Sequence, residues 1–581
     1  MSVQGAAPEP VIEFRHFFYK YRAQKEPTLS DINLKIWHGE KILIAGQSGS
    51  GKSTLGHCLN GLIPYRYTGD ITGSLRVAGK ETLELGIFEL SKWVGTVLQD
   101  TDGQFVGLTA GEDIAFALEN NCVAQDEMKR RVTEAAASTG ASHLLGKSPF
   151  DLSGGQKQRI SMAGVIINGA PILLFDEPLA NLDPATGKQA IALIDDLAQK
   201  YGHTVIIIEH RLEDVLYRSV DRVILMENGM IKADMPPDRL VSGSLLSETG
   251  LREPLYISAL KFAGIRINED MAPGRMDTLF LTETQKNALR EWNKVYISAR
   301  PINGKNETKA PELLTLEHLY FSYASDYALH DISFSIGRGE MTAILGANGA
   351  GKSTLAKLLC GFEKPNSGRI MLNGRDMADD SITERARHIG YVMQNPNQMI
   401  CESMIFDEAA FGPRNRGFTE TEVTERVERA LNICGLYPFK TWPVSALSFG
   451  QKKRLTVASA LTLSPEILIL DEPTAGQDYK HYSDMLEFLK GLNEKGVTVL
   501  MITHDMHLCL EYAKRAIVLT EGRLIADTAP AYALTDEDLT RRASLKQTSL
   551  YDLARLCGID SAAGFVQHYI DRERGGLWQK Q

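Results

Sequence analysis

Six short stretches of this chain are apolar almost without interruption: EKILIA (40–45), PILLF (171–175), TVIIIE (204–209), EMTAIL (340–345), EILIL (466–470) and VTVLMIT (497–503). A strand with one wet face alternates apolar and polar positions. These do not alternate, so the pattern predicts central strands of a parallel sheet covered by helices on both faces. Each stretch ends in text of a different kind. Two run into glycine-rich loops, two into acidic pairs and two toward a histidine. Ligands of such sheets bind outside the C-terminal ends of the strands, so these endings are the candidate functional positions. The predicted fold class is α/β.

The stretches come in pairs because the chain repeats itself. GQSGSGKST begins at Gly46 and GANGAGKST at Gly346, an offset of 346 − 46 = 300. LSGGQKQR at Leu152 matches LSFGQKKR at Leu447, 295 later, and LLFDEP ending at Pro178 matches LILDEP ending at Pro473, also 295 later. IIIEH ending at His210 matches LMITH ending at His504, 294 later. Solenoid repeats have periods of about 20 to 50 residues; a period near 300 means two homologous domains. The repeat includes PLYISALKFAGI (254–265) and SLYDLARLCGI (549–559), so each half is expected to carry a short helical C-terminal appendage. The expected domains are 10–245, a helical appendage and connector at 246–310, a second domain at 311–545 and a C-terminal helical appendage at 546–581. Asn268 to Lys309, with MAPGR and INGKNETK, reads as the connector.

Composition narrows the function classes. With 63 Lys and Arg against 73 Asp and Glu the net charge is −10, a poor match to sequence-independent nucleic-acid binding, which runs on phosphate neutralisation. The 7 Cys form no CxxC pair, so neither a zinc site nor a disulfide framework is suggested, and a reducing compartment fits. MSVQGAAPEP at the start does not read as a signal peptide. No apolar run reaches the roughly 20 residues that span a bilayer, so a membrane role would come through a partner.

The loops carry the strongest signal. G-x-x-x-x-G-K-S occurs within Gly46, Gln47, Ser48, Gly49, Ser50, Gly51, Lys52, Ser53 and Thr54, and again within Gly346, Ala347, Asn348, Gly349, Ala350, Gly351, Lys352, Ser353 and Thr354. Such glycines let backbone N–H groups turn inward around phosphate oxygens at the positive end of the following helix. Lys52 and Lys352 are expected to reach the β- and γ-phosphates of ATP, and Ser53 and Ser353 to ligate Mg2+. Asp176 and Asp471, at strand ends, are further Mg2+ candidates, and the adjacent Glu177 and Glu472 are candidate bases for the attacking water.

Taken together, the phosphate loops, LSGGQ, DEP and a strand-end histidine resemble the nucleotide-binding subunit of ATP-binding cassette (ABC) proteins, over nearly the whole chain and twice. The resemblance implies two tandem P-loop ATPase domains. In that family the signature Ser and Gly residues clamp the γ-phosphate held by the opposite domain, so the fused halves would form an intramolecular pseudo-dimer with two composite sites. It assigns Ser153, Gly154, Gly155 and Gln156 to one signature and Ser448, Gly450 and Gln451 to the other. It assigns Gln99 and Gln394 to the Q-loops beside Mg2+, Asp183 and Asp478 to the D-loops, and His210 and His504 to the switch that touches the γ-phosphate. Tyr21 and Tyr323 match the aromatic that stacks on adenine. Phe449 departs from the pattern, replacing the first signature glycine and narrowing the approach to phosphate.

After the Q-loops stand QDTDGQFVGLTAGEDIAFALEN and QNPNQMICESMIFDEAAFGPRN. These resemble the ATPases of energy-coupling factor (ECF) transporters, which import vitamins and metal ions, and the fused double ATPase resembles those of thiamine-precursor uptake. The resemblance implies an integral membrane T-component, a substrate-binding S-component and a place on the cytoplasmic face of the membrane. It implies that Glu112, Asp113, Asp407 and Glu408 meet arginines of that partner. Two alternatives stay open. A twin-cassette translation factor would carry a basic linker, whereas 246–310 holds ten Lys and Arg against eight Asp and Glu, a net of +2. A fused sugar-importer ATPase usually loses one catalytic Glu, and both are present here.

Overall fold

In the computed structural model the apolar stretches are strands. Residues 9–22, 24–99, 102–180, 182–299, 311–323, 327–473 and 479–577 are described. The chain divides into two compact units, Met1–Glu283 and Thr284–Gln581.

The first unit is built on a six-stranded sheet in the order Met230–Met235, Arg222–Glu227, Lys41–Gly46, Thr204–Ile208, Ile172–Asp176, Val94–Val97. All neighbours run parallel except the outermost pair, Met230–Met235 on Arg222–Glu227. Five consecutive parallel strands therefore end side by side. Their C-terminal ends carry the loop from Gly46, residues 209 and 210, the Asp176-Glu177 pair and Gln99. A second, antiparallel sheet of four strands includes Ile12–Tyr21, Leu29–Ile36 and Gly69–Val77. It packs across the helix Lys52–Leu59 onto the parallel sheet, sharing Ile12, Phe14, Leu55, Ile42, Ile44, Leu174 and Ile206 in one core. A third layer of helices, Ala110–Asn120, Gln125–Ser138 and Gly154–Ile166, closes on its own core of Ile114, Leu118, Val132, Ala136 and Ile160.

The second unit repeats the plan. Its parallel strands stand in the order Ile389–Val392, Ile467–Asp471, Thr498–Ile502, Met341–Leu345, Arg515–Thr520, closed by antiparallel Arg523–Thr528. The duplicated appendage segments are both eight-residue helices, Leu255–Phe262 and Ser549–Leu556.

One expectation changes. Within the stretch read as a connector, Glu283–Ala299 is a helix. It packs in the second unit against the C-terminal helix Ala562–Leu577. Leu289 is fully buried, Arg290 Nε donates to the Cys557 carbonyl at 2.5 Å, and the Trp292 ring stacks on His568 with centroids 3.7 Å apart. Leu289 and Trp292 lie three apart, on one helix face. The flanking Gly, Pro and Asn masked that short pattern.

His568 is 8 % exposed. Burial pushes its pKa down from 6.5 to about 4, with Asp571 opposing and Arg572 adding. The folded ring stays neutral where the unfolded chain takes a proton. The stability this represents is present above pH 6.5 and is lost as pH falls toward 4. Acidification across that window should lower the unfolding midpoint of the second unit, and His568→Phe should shrink the drop. An equal drop in both proteins would remove His568 as the cause.

Candidate active sites

Each phosphate loop owes its shape to a residue only glycine can be. Gly51 and Gly351 have φ of 99° and 97° and cap the following helices. A Cβ on Gly51 would lie 2.9 Å from Leu29 Cδ2 and 3.1 Å from the Thr28 carbonyl. Lys52 then points back into the loop, its Nζ 2.8 and 2.7 Å from the carbonyls of Gly46 and Gln47. Lys352 does the same toward Gly346 and Ala347, at 2.7 and 2.8 Å. The ammonium thus folds back onto the carbonyls at the start of its own loop, at the N-terminus of the helix that follows.

Beside each loop stands the acidic pair. Ser53 Oγ donates to Asp176 at 3.2 Å, and Ser353 Oγ to Asp471 at 3.2 Å. A hydroxyl and a carboxylate together are the hard oxygen donors that Mg2+ takes alongside nucleotide phosphates, so these residues could hold it. Burial, then the neighbouring Glu177, pushes the Asp176 pKa up to about 6; burial also raises that of Asp471. The next residue is held in a left-handed conformation in both units, with φ of 48° at Glu177 and 47° at Glu472. Such strain costs about 1–3 kcal/mol and gathers at functional sites. It is over-determined here by the adjacent strand, since Glu177 N and Glu472 N each donate at 2.9 Å to the carbonyls of Ile208 and Ile502.

The Q-loop and the histidine converge on that Glu. Gln99 Nε2 donates to Glu177 Oε2 at 2.6 Å. His504 Nδ1 is 2.7 Å from Glu472 Oε1, and His210 Nδ1 is 3.7 Å from Glu177 Oε1. Burial favours neutral Glu177, but the neighbouring His210 outweighs this and lowers its pKa.

The signatures begin helices. Ser153 and Ser448 are N-caps. Gln156 and Gln451, three residues on, accept from the Ser backbone N–H at 3.0 Å in each unit. Ser and Gln of the signature are thus a capping box. Gly155 has a packing reason too, since a Cβ there would come within 2.3 Å of Thr186 Cγ2. Phe449 occupies the first helical position and is 41 % exposed.

The chain matches the family described as "ABC transporter" twice, over residues 29–180 and 329–475. The protein is an ABC transporter ATP-binding protein. Its two ABC ATPase domains bind ATP and hydrolyse it. Residues 243–321 match a further family described as "ATP-binding cassette cobalt transporter". A relative from Clostridium perfringens, provisionally named an ABC transporter ATP-binding protein, is 53 % identical over 567 residues, 97 % of this chain and 99 % of that protein. One from Enterococcus faecalis with the same provisional name is 53 % identical over 570 residues, 97 % of this chain and 99 % of its own. Among solved structures, CbiO1 from Clostridium perfringens, described as part of the ABC transporter complex CbiONQ, is 34 % identical, covering 43 % of this chain and 98 % of that one with a TM-score of 0.38. Among the described residues no helix is long and apolar enough to cross a membrane.

Other expected ABC positions fall as follows. Asp183 caps the helix Pro184–Tyr201, accepting from Thr186 N at 3.0 Å and Thr186 Oγ1 at 2.8 Å; Asp478 lies outside the described residues. Tyr21 is half-buried, its hydroxyl 3.2 Å from Thr54 Oγ1, whereas Tyr323 is exposed. The acidic pairs also have local partners. Glu112 accepts from the N–H of Leu108 and Thr109, both at 3.0 Å, and Asp113 from Val106 and Gly107 at 2.9 and 3.2 Å. Glu408 is buried and accepts from Cys401 and Glu402 at 2.8 and 2.9 Å; Asp407 pairs with Arg414 at 2.9 Å. Glu112, Asp113 and Glu408 bond the backbone of the turns that precede their helices, and Asp407 pairs within its own helix. What the first loop presents outward is apolar, with Val106, Leu108 and Phe116 exposed.

Sequence reasoning missed three residues, all visible only when the halves are compared position by position. Where the first unit has Gln158, donating to the Pro178 carbonyl at 2.6 Å, the second has buried Lys453. Its Nζ reaches the carbonyls of Gln394 at 2.6 Å, Met393 at 3.0 Å, Glu472 at 3.2 Å and Asp471 at 3.4 Å. It ties the second Q-loop to the acidic strand end. Where the first has Thr96, the second has Tyr391, whose hydroxyl donates to Asp471 at 3.0 Å. Where the second has Thr503, the first has Glu209.

Lys453→Met keeps the volume and removes the donor from four carbonyls. A hydrogen bond from a charged group is worth about 1.5–3 kcal/mol, so the second unit should lose roughly 2–4 kcal/mol while the first is untouched. Calorimetry should show one transition moving down. Two transitions falling together would contradict a role confined to the second unit.

Proposed function

We propose that the two halves close on each other as a pseudo-dimer with two composite ATP sites, each pairing the phosphate loop of one half with the signature of the other. The observation that carries this reading is the division of labour within each unit. Loop, acidic pair, Q-loop and histidine converge on parallel strand ends, while the signature opens a separate helix whose N-terminus is suited to an anion. Glu177 and Glu472 then orient and deprotonate the attacking water, with His210 and His504 steering the γ-phosphate. Mg2+ held by Ser53 with Asp176, and by Ser353 with Asp471, beside Gln99 and Gln394, would neutralise phosphate charge. Tyr21 and Tyr323 would stack on adenine.

We further read the chain as the energy-coupling subunit of an ECF-type importer for a micronutrient, bound at the cytoplasmic face of the membrane to a T-component and an S-component. The text after the two Q-loops supports the ECF type. The match over 243–321 favours cobalt ion as cargo, and the fused double ATPase favours thiamine or its precursor. In the first unit the exposed Val106, Leu108 and Phe116 suit an apolar face of a partner helix. Asp113 and Glu112 bond the backbone N–H groups of that loop, and Glu112, which is exposed, keeps an acidic edge beside the apolar face for an arginine of the partner.

The double variant Glu177→Gln with Glu472→Gln should hold ATP while hydrolysis falls about 10²- to 10⁴-fold, the loss typical of a positioned base. Turnover near the wild-type rate would refute the base assignment. Leu108→Glu with Phe116→Glu should release the chain from membranes with ATP binding unchanged. Undiminished membrane association would place the docking surface elsewhere. Comparing uptake of labelled cobalt with that of labelled thiamine, in cells with and without the chain, separates the two cargoes.

A further inference from the structure

We propose that Glu209 is a positioning residue of the first hydrolytic centre, holding the His210 ring off Glu177 so that the two halves rest in different catalytic arrangements. The inference rests on the reading of Glu177 and Glu472 as bases. Glu209 follows the strand Thr204–Ile208, and its side chain is fully buried. All its contacts fall on one oxygen. Oε1 accepts from His210 N at 2.9 Å and Arg211 N at 3.2 Å, lies 3.1 Å from His210 Nδ1 and is 3.8 Å from Arg211 Nε. Oε2 is buried with no hydrogen-bond partner. A carboxylate placed in this way is expensive to bury, and nothing in the backbone demands it. The second unit shapes the same turn with a hydroxyl, Thr503 Oγ1 accepting from Asp505 N at 2.9 Å.

The consequence is visible one residue away. In the second unit, where Thr503 stands in place of Glu209, the His504 ring bonds Glu472 directly at 2.7 Å. In the first, the ring is nearer Glu209 (3.1 Å) than Glu177 (3.7 Å), and Glu177 is left to Gln99 at 2.6 Å. One ring nitrogen cannot serve two carboxylates, so the identity of residue 209 selects the partner. Burial lowers the pKa of His210, but Glu209 and Glu177, opposed by Arg211, outweigh it and raise it. This agrees with a ring held between two anions.

Glu209→Gln keeps the acceptor for the two backbone N–H groups and removes the charge. Glu209→Thr installs the residue that the second unit already folds with. In the full chain labelled with ring-15N histidine, the His210 signal, assigned by its loss in His210→Asn, should shift in both variants as the ring moves to Glu177, while the His504 signal stays. ATPase kcat should fall up to about tenfold, less than for loss of a base, with KM for ATP changed less than twofold. An unmoved His210 signal in both variants overturns the proposal whatever the activity does. A shifted signal with unchanged kcat overturns its catalytic consequence. A rate in Glu177→Gln equal to wild type would instead sink the base reading beneath it.

Discussion

Everything at the two centres follows from burying adjacent carboxylates at the end of a covered strand. Charges in that position must be met by donors or neutralised, and the groups that the motifs place around them are such donors. Ser53 and Ser353 meet the aspartates; Gln99 and His504 meet the glutamates. The left-handed backbone at Glu177 and Glu472 turns each carboxylate off the strand toward the Q-loop and the histidine instead of into the apolar core behind it. Phosphate loop, Q-loop and histidine lie on neighbouring parallel strands, so one sheet geometry delivers all of them to the same pair.

Duplication lets the two copies answer the same constraint differently. Around the first pair the added charges are Glu209 and Arg211; around the second they are Lys453 and Asp505. Each unit therefore gains one anion and one cation, and the net charge does not distinguish them. Placement does. In the first unit the extra anion lies against the histidine, loosening its hold on Glu177. In the second the extra cation lies under the Q-loop and the strand end, where Lys453 binds four carbonyls. The first centre is thereby the one whose histidine is engaged elsewhere, and the second the one whose Q-loop is fastened to its strand.

The α/β class, the duplication and the phosphate loops were legible because each is written in uninterrupted residues: apolar runs, repeats in register, glycines at fixed spacing. What was not legible is pairing across space. Nothing local in GEDIAF tells that Asp113 bonds the N–H groups of Val106 and Gly107. Nothing in LREWN reveals a helix until Trp292 meets His568, 568 − 292 = 276 residues later. Lys453, Tyr391 and Glu209 are single letters whose meaning depends on the carboxylates opposite them. Subtracting one half from the other would have raised all three, because only differences at aligned positions separate a charge with a local purpose from one with a private role.

The signature shows how far local folding and function share residues. Ser448 and Gln451 close a capping box, which any helix start could use for stability alone. That box engages the N–H of Ser448 and of Gln451. The N–H groups of Phe449 and Gly450, in the first helical turn, keep the orientation toward the helix N-terminus that suits an anion. Phe keeps its backbone N–H as glycine does, so the substitution at 449 subtracts no donor. What it adds is a ring, 41 % exposed, on the first residue of the helix. The two signatures therefore offer the same backbone dipole and differ in steric access. A functional difference between the signatures would then arise from how closely a γ-phosphate can approach, and not from how strongly the helix end attracts it.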